Sequence, residues 1–266
     1  MLPACGASVE AGPNTVVASF YPLAYAAEQV APSAPVENLT PPGAEPHDLE
    51  LSPVDAAAIR QARLVLLLGR GFQPQLDDAA GNGGNVLHLL DTAGLDLLPN
   101  GDPHVWLDPI RFADLAVQVS KALTGSGASA AVLAHRLEDL DAQYRAGLAD
   151  CERRELVVSH AAFGYLADAY GLEQIPLAGL SPEAEATPRD LARAAELVEE
   201  RGITTVFVEP LAAPAEAWTV ARETGAKIET LDPIEGLTDE EAAAGEDYLS
   251  RMEANLRTLR EALGCR

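Results

Sequence analysis

Basic residues are scarce in this chain: 18 Lys and Arg stand against 41 Asp and Glu in 266 residues, a formal net charge of −23. None of the basic residues forms a run. A surface that tracks phosphates needs clustered Lys and Arg, so the balance argues against nucleic acid as a partner. The acidity reads as a solvated surface that aids solubility and draws cations without naming a ligand. Long apolar runs are also missing, since no stretch reaches the roughly 18 to 20 residues that a bilayer-spanning helix needs. Cysteine is limited to three residues, with no Cys-x-x-Cys pair to suggest a thiolate metal site or a redox motif. What remains is a chain that is 48% hydrophobic, with 21 Gly and 19 Pro to punctuate it. That composition and length fit a globular α/β protein of one large domain or two lobes.

Short apolar runs alternate with helical patterns along the whole chain. Strands are predicted near residues 15–20, 36–39, 64–68 and 85–89, then again near 155–159, 174–177, 204–208 and 227–231. Helices are predicted between them, near 23–30, 53–62, 112–123, 162–170, 188–201 and 213–224, with one closing helix from about Glu240 to Leu263. This rhythm implies mainly parallel sheets covered by helices. A longer amphipathic stretch from about Ala128 to Ala149 separates the two halves. At ~1.5 Å per residue it spans on the order of 30 Å and reads as a rigid connection between two lobes. The expected division is a tail over 1–13, an N-terminal α/β lobe over 14–125, a linking helix over 126–150 and a C-terminal α/β lobe over 151–266.

Histidine occurs only five times, and three of the five sit in loop or strand-end settings flanked by Pro, Asp or Ser: His47, His104 and His160. Asp232, in Leu231-Asp232-Pro233, is a fourth candidate. In parallel α/β folds the ligand crevice lies beyond the carboxyl ends of the strands, where loops from different strands converge. Two of the four candidates come from each half, so a shared site falls in the cleft between the lobes. Three imidazoles and one carboxylate suit a borderline divalent ion and complete the four-coordinate shell that Zn²⁺ favours. Mg²⁺ or Ca²⁺ asks for mostly oxygen. Taken singly, each His is better read as an ordinary hydrogen-bonded side chain, and Asp-Pro as a turn. His88, in an apolar segment, and His135, on the long helix, read as structural. Asp108, Ser159 and Glu209 are candidates for orienting the imidazoles, or for ordinary turns and caps.

Three blocks resemble those of a known family: Pro46-His47-Asp48-Leu49-Glu50-Leu51-Ser52-Pro53, Asp102-Pro103-His104-Val105-Trp106-Leu107-Asp108-Pro109, and Ser159-His160-Ala161-Ala162-Phe163-Gly164-Tyr165-Leu166. They are similar, in order, to the histidine blocks of the metal-specific solute-binding proteins of bacterial ABC importers. Gly179 to Pro188 and Phe207-Val208-Glu209-Pro210 resemble two further segments, and the likeness runs from about Thr15 to Leu263. The resemblance implies two α/β lobes joined by a long rigid helix, with His47, His104, His160 and Asp232 as metal ligands in the interlobe cleft. It implies an extracytoplasmic, non-enzymatic, monomeric protein that hands Zn²⁺ to a membrane permease. Manganese members tend to carry Glu at the third position, so His160 favours zinc over manganese. The chain departs from many zinc members in Leu97-Leu98-Pro99-Asn100-Gly101, which lacks the His-rich loop, and in having Pro46 directly before His47, with Glu45 one residue removed. The competing readings are a manganese-binding relative, a zinc hydrolase that activates water on three His, and a surface adhesin on the same scaffold. No His-Glu-x-x-His motif supports the hydrolase.

Met1-Leu2-Pro3-Ala4-Cys5-Gly6 resembles a bacterial lipoprotein processing site, which would place a lipid anchor on Cys5. Assigning Cys5 to the lipid leaves Cys151 and Cys265, which are expected to form a disulfide in an exported protein.

Overall fold

The computed structural model describes residues 12–92, 94–181, 186–211 and 215–266. Cys5 lies outside them, as do residues 182–185 of the Gly179 to Pro188 segment. The first half runs β1 (Val16–Ala18), α1 (Tyr21–Val30), β2 (Val36–Asn38), α2 (Pro53–Gln61), β3 (Leu64–Leu67), α3 (Pro74–Ala80) and β4 (Val86–His88). α4 (Pro109–Thr124) and α5 (Ala131–Gly147) follow, packed against each other. The second half runs β5 (Glu155–Val158), α6 (Gly164–Tyr170), β6 (Glu173–Pro176), α7 (Pro188–Arg201), β7 (Thr205–Val208), α8 (Ala215–Thr224), β8 (Lys227–Thr230), α9 (Asp239–Ala244) and α10 (Tyr248–Leu263).

Each half forms a four-stranded parallel sheet, ordered β2-β1-β3-β4 and β6-β5-β7-β8. The fold is therefore two parallel-sheet α/β lobes, as the strand rhythm implied. In each sheet the order reverses between the two central strands, and loops leaving a reversal point diverge and open a crevice. Successive side chains in each strand point to opposite faces of the sheet. In β1, Val16 and Ala18 face one core while Val17 faces another.

The inward faces of both sheets share one continuous core with α1, α4, α5, α6 and α10. Smaller outer cores hold α2 and α3 on the first sheet and α7 and α8 on the second. The shared core packs the two lobes against each other. It is reinforced at the surface by Arg111 of α4, which binds Asp108 Oδ2 at 2.7 Å and reaches Asp168 Oδ2 of α6 at 2.9 Å.

Local signals set the helix ends. Ser52 and Thr187 each form a reciprocal cap with an Asp three residues on, and Pro occupies the first turn of both helices. The long helical stretch begins with a 3₁₀ turn at Gly127–Ala130, which shortens α5 to 17 residues. The single closing helix expected from Glu240 to Leu263 is two helices. Gly245 ends α9 with φ of 80°, a left-handed conformation that glycine adopts without steric cost, and Asp247 caps the start of α10. Among the described residues no helix is long and apolar enough to cross a membrane.

Cys151 and Cys265 form the expected disulfide, closing a sequence separation of 114 residues around the second lobe. Removing it through paired Cys151→Ser and Cys265→Ser substitutions is expected to cost about 2–5 kcal/mol, because the unfolded chain regains the freedom the cross-link denied it. The denaturant midpoint should fall accordingly. An unchanged midpoint would show that α10 needs no covalent clasp.

Candidate metal site

The three histidine blocks end up together in loops beside the sheets. His47 lies in the loop between β2 and α2, and His104 precedes a single 3₁₀ turn at Val105–Leu107 that leads into α4. His160 stands just past Ser159, the first residue after β5, at the reversal point of the second sheet. His104 and His160 have no solvent exposure, and His47 keeps 8% of its side chain accessible. The structure thus brings together three of the four residues singled out from the sequence.

The fourth member of the cluster, and its carboxylate, is Glu235, not Asp232. Glu235 Oε1 lies 3.3 Å from His47 Nε2, 3.3 Å from His104 Nε2 and 3.8 Å from His160 Nε2, and the His104 and His160 Nε2 atoms are 3.4 Å apart. A regular tetrahedron with metal–ligand bonds of ~2.0–2.1 Å has edges of ~3.4 Å. Three of these four separations match the edge that a zinc-sized ion needs, and the fourth is slightly longer.

Asp232 does follow β8, as its place in the sequence suggested, but its carboxylate is committed elsewhere. Its Oδ2 binds Arg251 of α10 at 2.9 Å, and its Oδ1 accepts the Ile234 N–H at 2.8 Å. Asn255 of α10 holds both its N–H and its carbonyl. Asp232 thus anchors the turn rather than facing the imidazoles. Ile234 follows with φ of 55°, unusual for a β-branched side chain, and this bend carries Glu235 into the cleft. The segment reads Asp232-Pro233-Ile234-Glu235-Gly236. A tight turn bracketed by Pro and Gly shifts the inward-facing carboxylate three residues along.

Two carboxylates orient the imidazoles from behind. Asp102 Oδ1 accepts from both the backbone N–H and Nδ1 of His104, at 2.9 and 2.8 Å. Glu209, which follows β7 across the sheet reversal from His160, accepts from His160 Nδ1 at 2.6 Å and from the Ser159 hydroxyl. A ring that donates from Nδ1 presents its lone pair at Nε2, toward the other donors. Ser159 and Glu209 therefore act as two of the three orienting candidates. Asp108 instead caps α4 and pairs with Arg111. Asp102 was not foreseen in this role. Gly164, at the start of α6, makes room for it, because a Cβ there would collide with the second Asp102 oxygen.

The remaining histidines lie outside the cluster. His88 bonds to the Gly81 carbonyl at 3.0 Å, and His135 is exposed on α5 beside Glu138 and Asp139. Glu45 accepts the His47 N–H rather than joining the donors.

The electrostatics follow from packing charge into a dry cleft. Burial opposes the Glu235 charge, yet hydrogen bonds from His104 and His47 overcome it and hold this carboxyl well below the usual range. Burial likewise opposes the His104 cation, but Asp102 and Glu235 outweigh it and push the ring up to about 9. Glu45 is pushed up to about 8 by burial and by the nearby Glu235 charge. Phe72 and Trp106 wall the site, with the Phe72 ring 4.5 Å from that of His47 and the Trp106 ring 5.2 Å from that of His104.

The chain is similar to known zinc-binding and zinc-uptake proteins. A family model described as "Zinc-uptake complex component A periplasmic" matches residues 16–262. The zinc-binding lipoprotein AdcA of Streptococcus pneumoniae is 34% identical over 98% of this chain, and the match spans only 58% of that protein's length. The high-affinity zinc uptake system protein ZnuA of Bacillus subtilis is 31% identical over 93% of this chain and 87% of its own. Among solved structures, the Zn(II)-bound ZnuA-like domain of S. pneumoniae AdcA superposes with a TM-score of 0.77 at 34% identity, covering 95% of this chain and 99% of that one. The laminin-binding protein Lmb of Streptococcus agalactiae gives 0.82 at 30% identity, covering 94% and 99%. With a match over nearly its whole length, the chain belongs to the family of the periplasmic A component of zinc-uptake complexes.

Proposed function

We propose that this chain is the extracytoplasmic zinc-binding component of an ABC importer. It captures Zn²⁺ between its lobes on His47, His104, His160 and Glu235 and delivers it, as a monomer, to a membrane permease. The observation that carries this reading is the spacing of the four donor atoms, all within 4.8 Å of one another in a closed cleft. The naming of similar proteins for zinc binding and zinc uptake supports it. Three nitrogen donors and one oxygen favour zinc over manganese, which prefers oxygen-rich sites. A hydrolase needs an open coordination position for water, and the Glu235 carboxylate fills the one that three imidazoles leave. We assign the lipid anchor to Cys5, in keeping with the name lipoprotein given to AdcA. The lobes are taken to divide at residues 14–125 and 151–266, with 126–150 linking them.

Replacing His160 by Ala removes a buried donor, and zinc affinity should fall by at least ~100-fold, beyond the usual loss from an outer partner. His88→Ala should leave zinc binding nearly unchanged and lower thermal stability, since it removes the bond to Gly81 and the contact with Asp77. Zinc titration of both variants decides: if His88→Ala abolishes binding and His160→Ala does not, the site is misplaced.

Protons compete for the same nitrogens. His104, pushed up to about 9, carries a proton at neutral pH that zinc must displace. Apparent affinity should therefore increase as pH rises toward 9, and it should weaken markedly by about pH 5. Titrations across this range test the sign, and a flat profile is incompatible with a histidine-dominated shell.

A further inference from the structure

The peptide group between Pro233 and Ile234 is pinned at both ends. Its N–H donates to Asp232 Oδ1 at 2.8 Å, and its carbonyl accepts from the indole Nε1 of Trp106 at 2.7 Å. Trp106 belongs to the second histidine block, two residues after His104, whereas Pro233 belongs to the turn after β8. The hydrogen bond therefore crosses from the first lobe's half of the site to the second's. Trp106 is itself fixed: it is fully buried, its ring lies 4.8 Å from Phe20 and 5.7 Å from Phe72, and Tyr248 of α10 donates to its carbonyl at 2.5 Å.

This pinning matters because of the residue that follows. Ile234 is fully buried with φ of 55°, a left-handed conformation that a β-branched residue adopts only when its surroundings impose it. Rotation of the pinned peptide plane is the simplest route by which the turn could relax. That rotation would swing Glu235 away from the imidazoles. Asp232 restrains one end of the plane from within the turn itself. Trp106 restrains the other from outside it.

We propose that Trp106 is a positioning residue for the fourth metal donor. Through its indole N–H it holds the turn that presents Glu235, so the first lobe determines whether the second lobe's carboxylate is in place. The role goes beyond filling the core, since the contact that matters is one hydrogen bond to a backbone carbonyl. It rests on Glu235 being a donor, and the experiment separates failure of that reading from failure of this one.

Zinc affinity is measured for the unaltered chain, Trp106→Phe, Glu235→Gln and the double variant. Loss of one buried hydrogen bond that aligns a donor should weaken zinc binding roughly tenfold in Trp106→Phe. In the Glu235→Gln background the same change should alter affinity less than about twofold, because no carboxylate remains to be positioned. Equal losses in both backgrounds, or no loss in either, overturn the proposal. If Glu235→Gln leaves affinity untouched, the four-donor reading fails first. Co²⁺-loaded Trp106→Phe should show a weakened visible absorption band as water enters the shell, which a purely structural role does not produce. Should Trp106→Phe fail to fold, an isostere lacking the N–H serves instead. Trp106 and Trp218 are the two tryptophans, and Trp218 is 57% exposed. A Trp218→Phe chain grown with benzothienylalanine therefore replaces the Trp106 indole alone. The same tenfold weakening is expected, and unchanged affinity in that chain overturns the proposal.

Discussion

A carboxylate with almost no solvent contact has to be neutralised by something, and in this protein that demand falls on Glu235. The ionised form persists because His47 and His104 face it at hydrogen-bond distance. Burying a charge without such partners is prohibitive, and the pairing shifts the protonation of both sides together. A proton shared with His104 satisfies the carboxylate to a limited degree. A divalent ion satisfies it and all three imidazoles at once. The affinity for a cation is thus built into the cost of burying Glu235, and the surrounding structure serves to keep that charge from escaping to solvent.

The fold meets this requirement with rigid parts rather than with loops alone. His160 and Glu209 leave adjacent central strands at the reversal point of the second sheet, so the ring and the carboxylate that orients it are set by strand pairing. His104 is held by Asp102 on one side and leads into a buried 3₁₀ turn on the other. α10 contributes Tyr248, Arg251 and Asn255 from one face, at helical spacing, to grip Trp106 and Asp232. The C-terminal helix is in turn tied back by the disulfide to the start of the second half. Precision at the metal site is therefore inherited from core packing on both sides of the cleft.

Much of this was legible in the sequence because its signals are local. Alternating apolar runs announced the parallel sheets, Ser52 and Thr187 marked helix starts, and scarce histidines in loop settings marked the site. His160 was readable as a member of the cluster because it follows a buried strand. Glu235 was not, because its placement depends on a left-handed residue and on a peptide plane held by Trp106, 127 residues away in sequence. By the same strand-end logic Asp232 looked the better candidate, but Arg251 from α10 and the Ile234 N–H withdraw its carboxylate. The split between α9 and α10 was missed for a related reason, since Gly245 alone does not reveal that Asp247 restarts the helix. Asp102 went unassigned because its role needs the close approach of Gly164, which no spacing rule conveys.

The central claim is that zinc is held by three imidazole nitrogens and the Glu235 carboxylate, with no position left for water. Anomalous diffraction at the zinc edge from crystals of the zinc-loaded protein tests it most directly. The account predicts one strong peak at ~2.0–2.1 Å from Nε2 of His47, His104 and His160 and from an oxygen of Glu235. A peak ligated by Asp232, or one in which a solvent molecule takes the fourth position while Glu235 stands away, would contradict it.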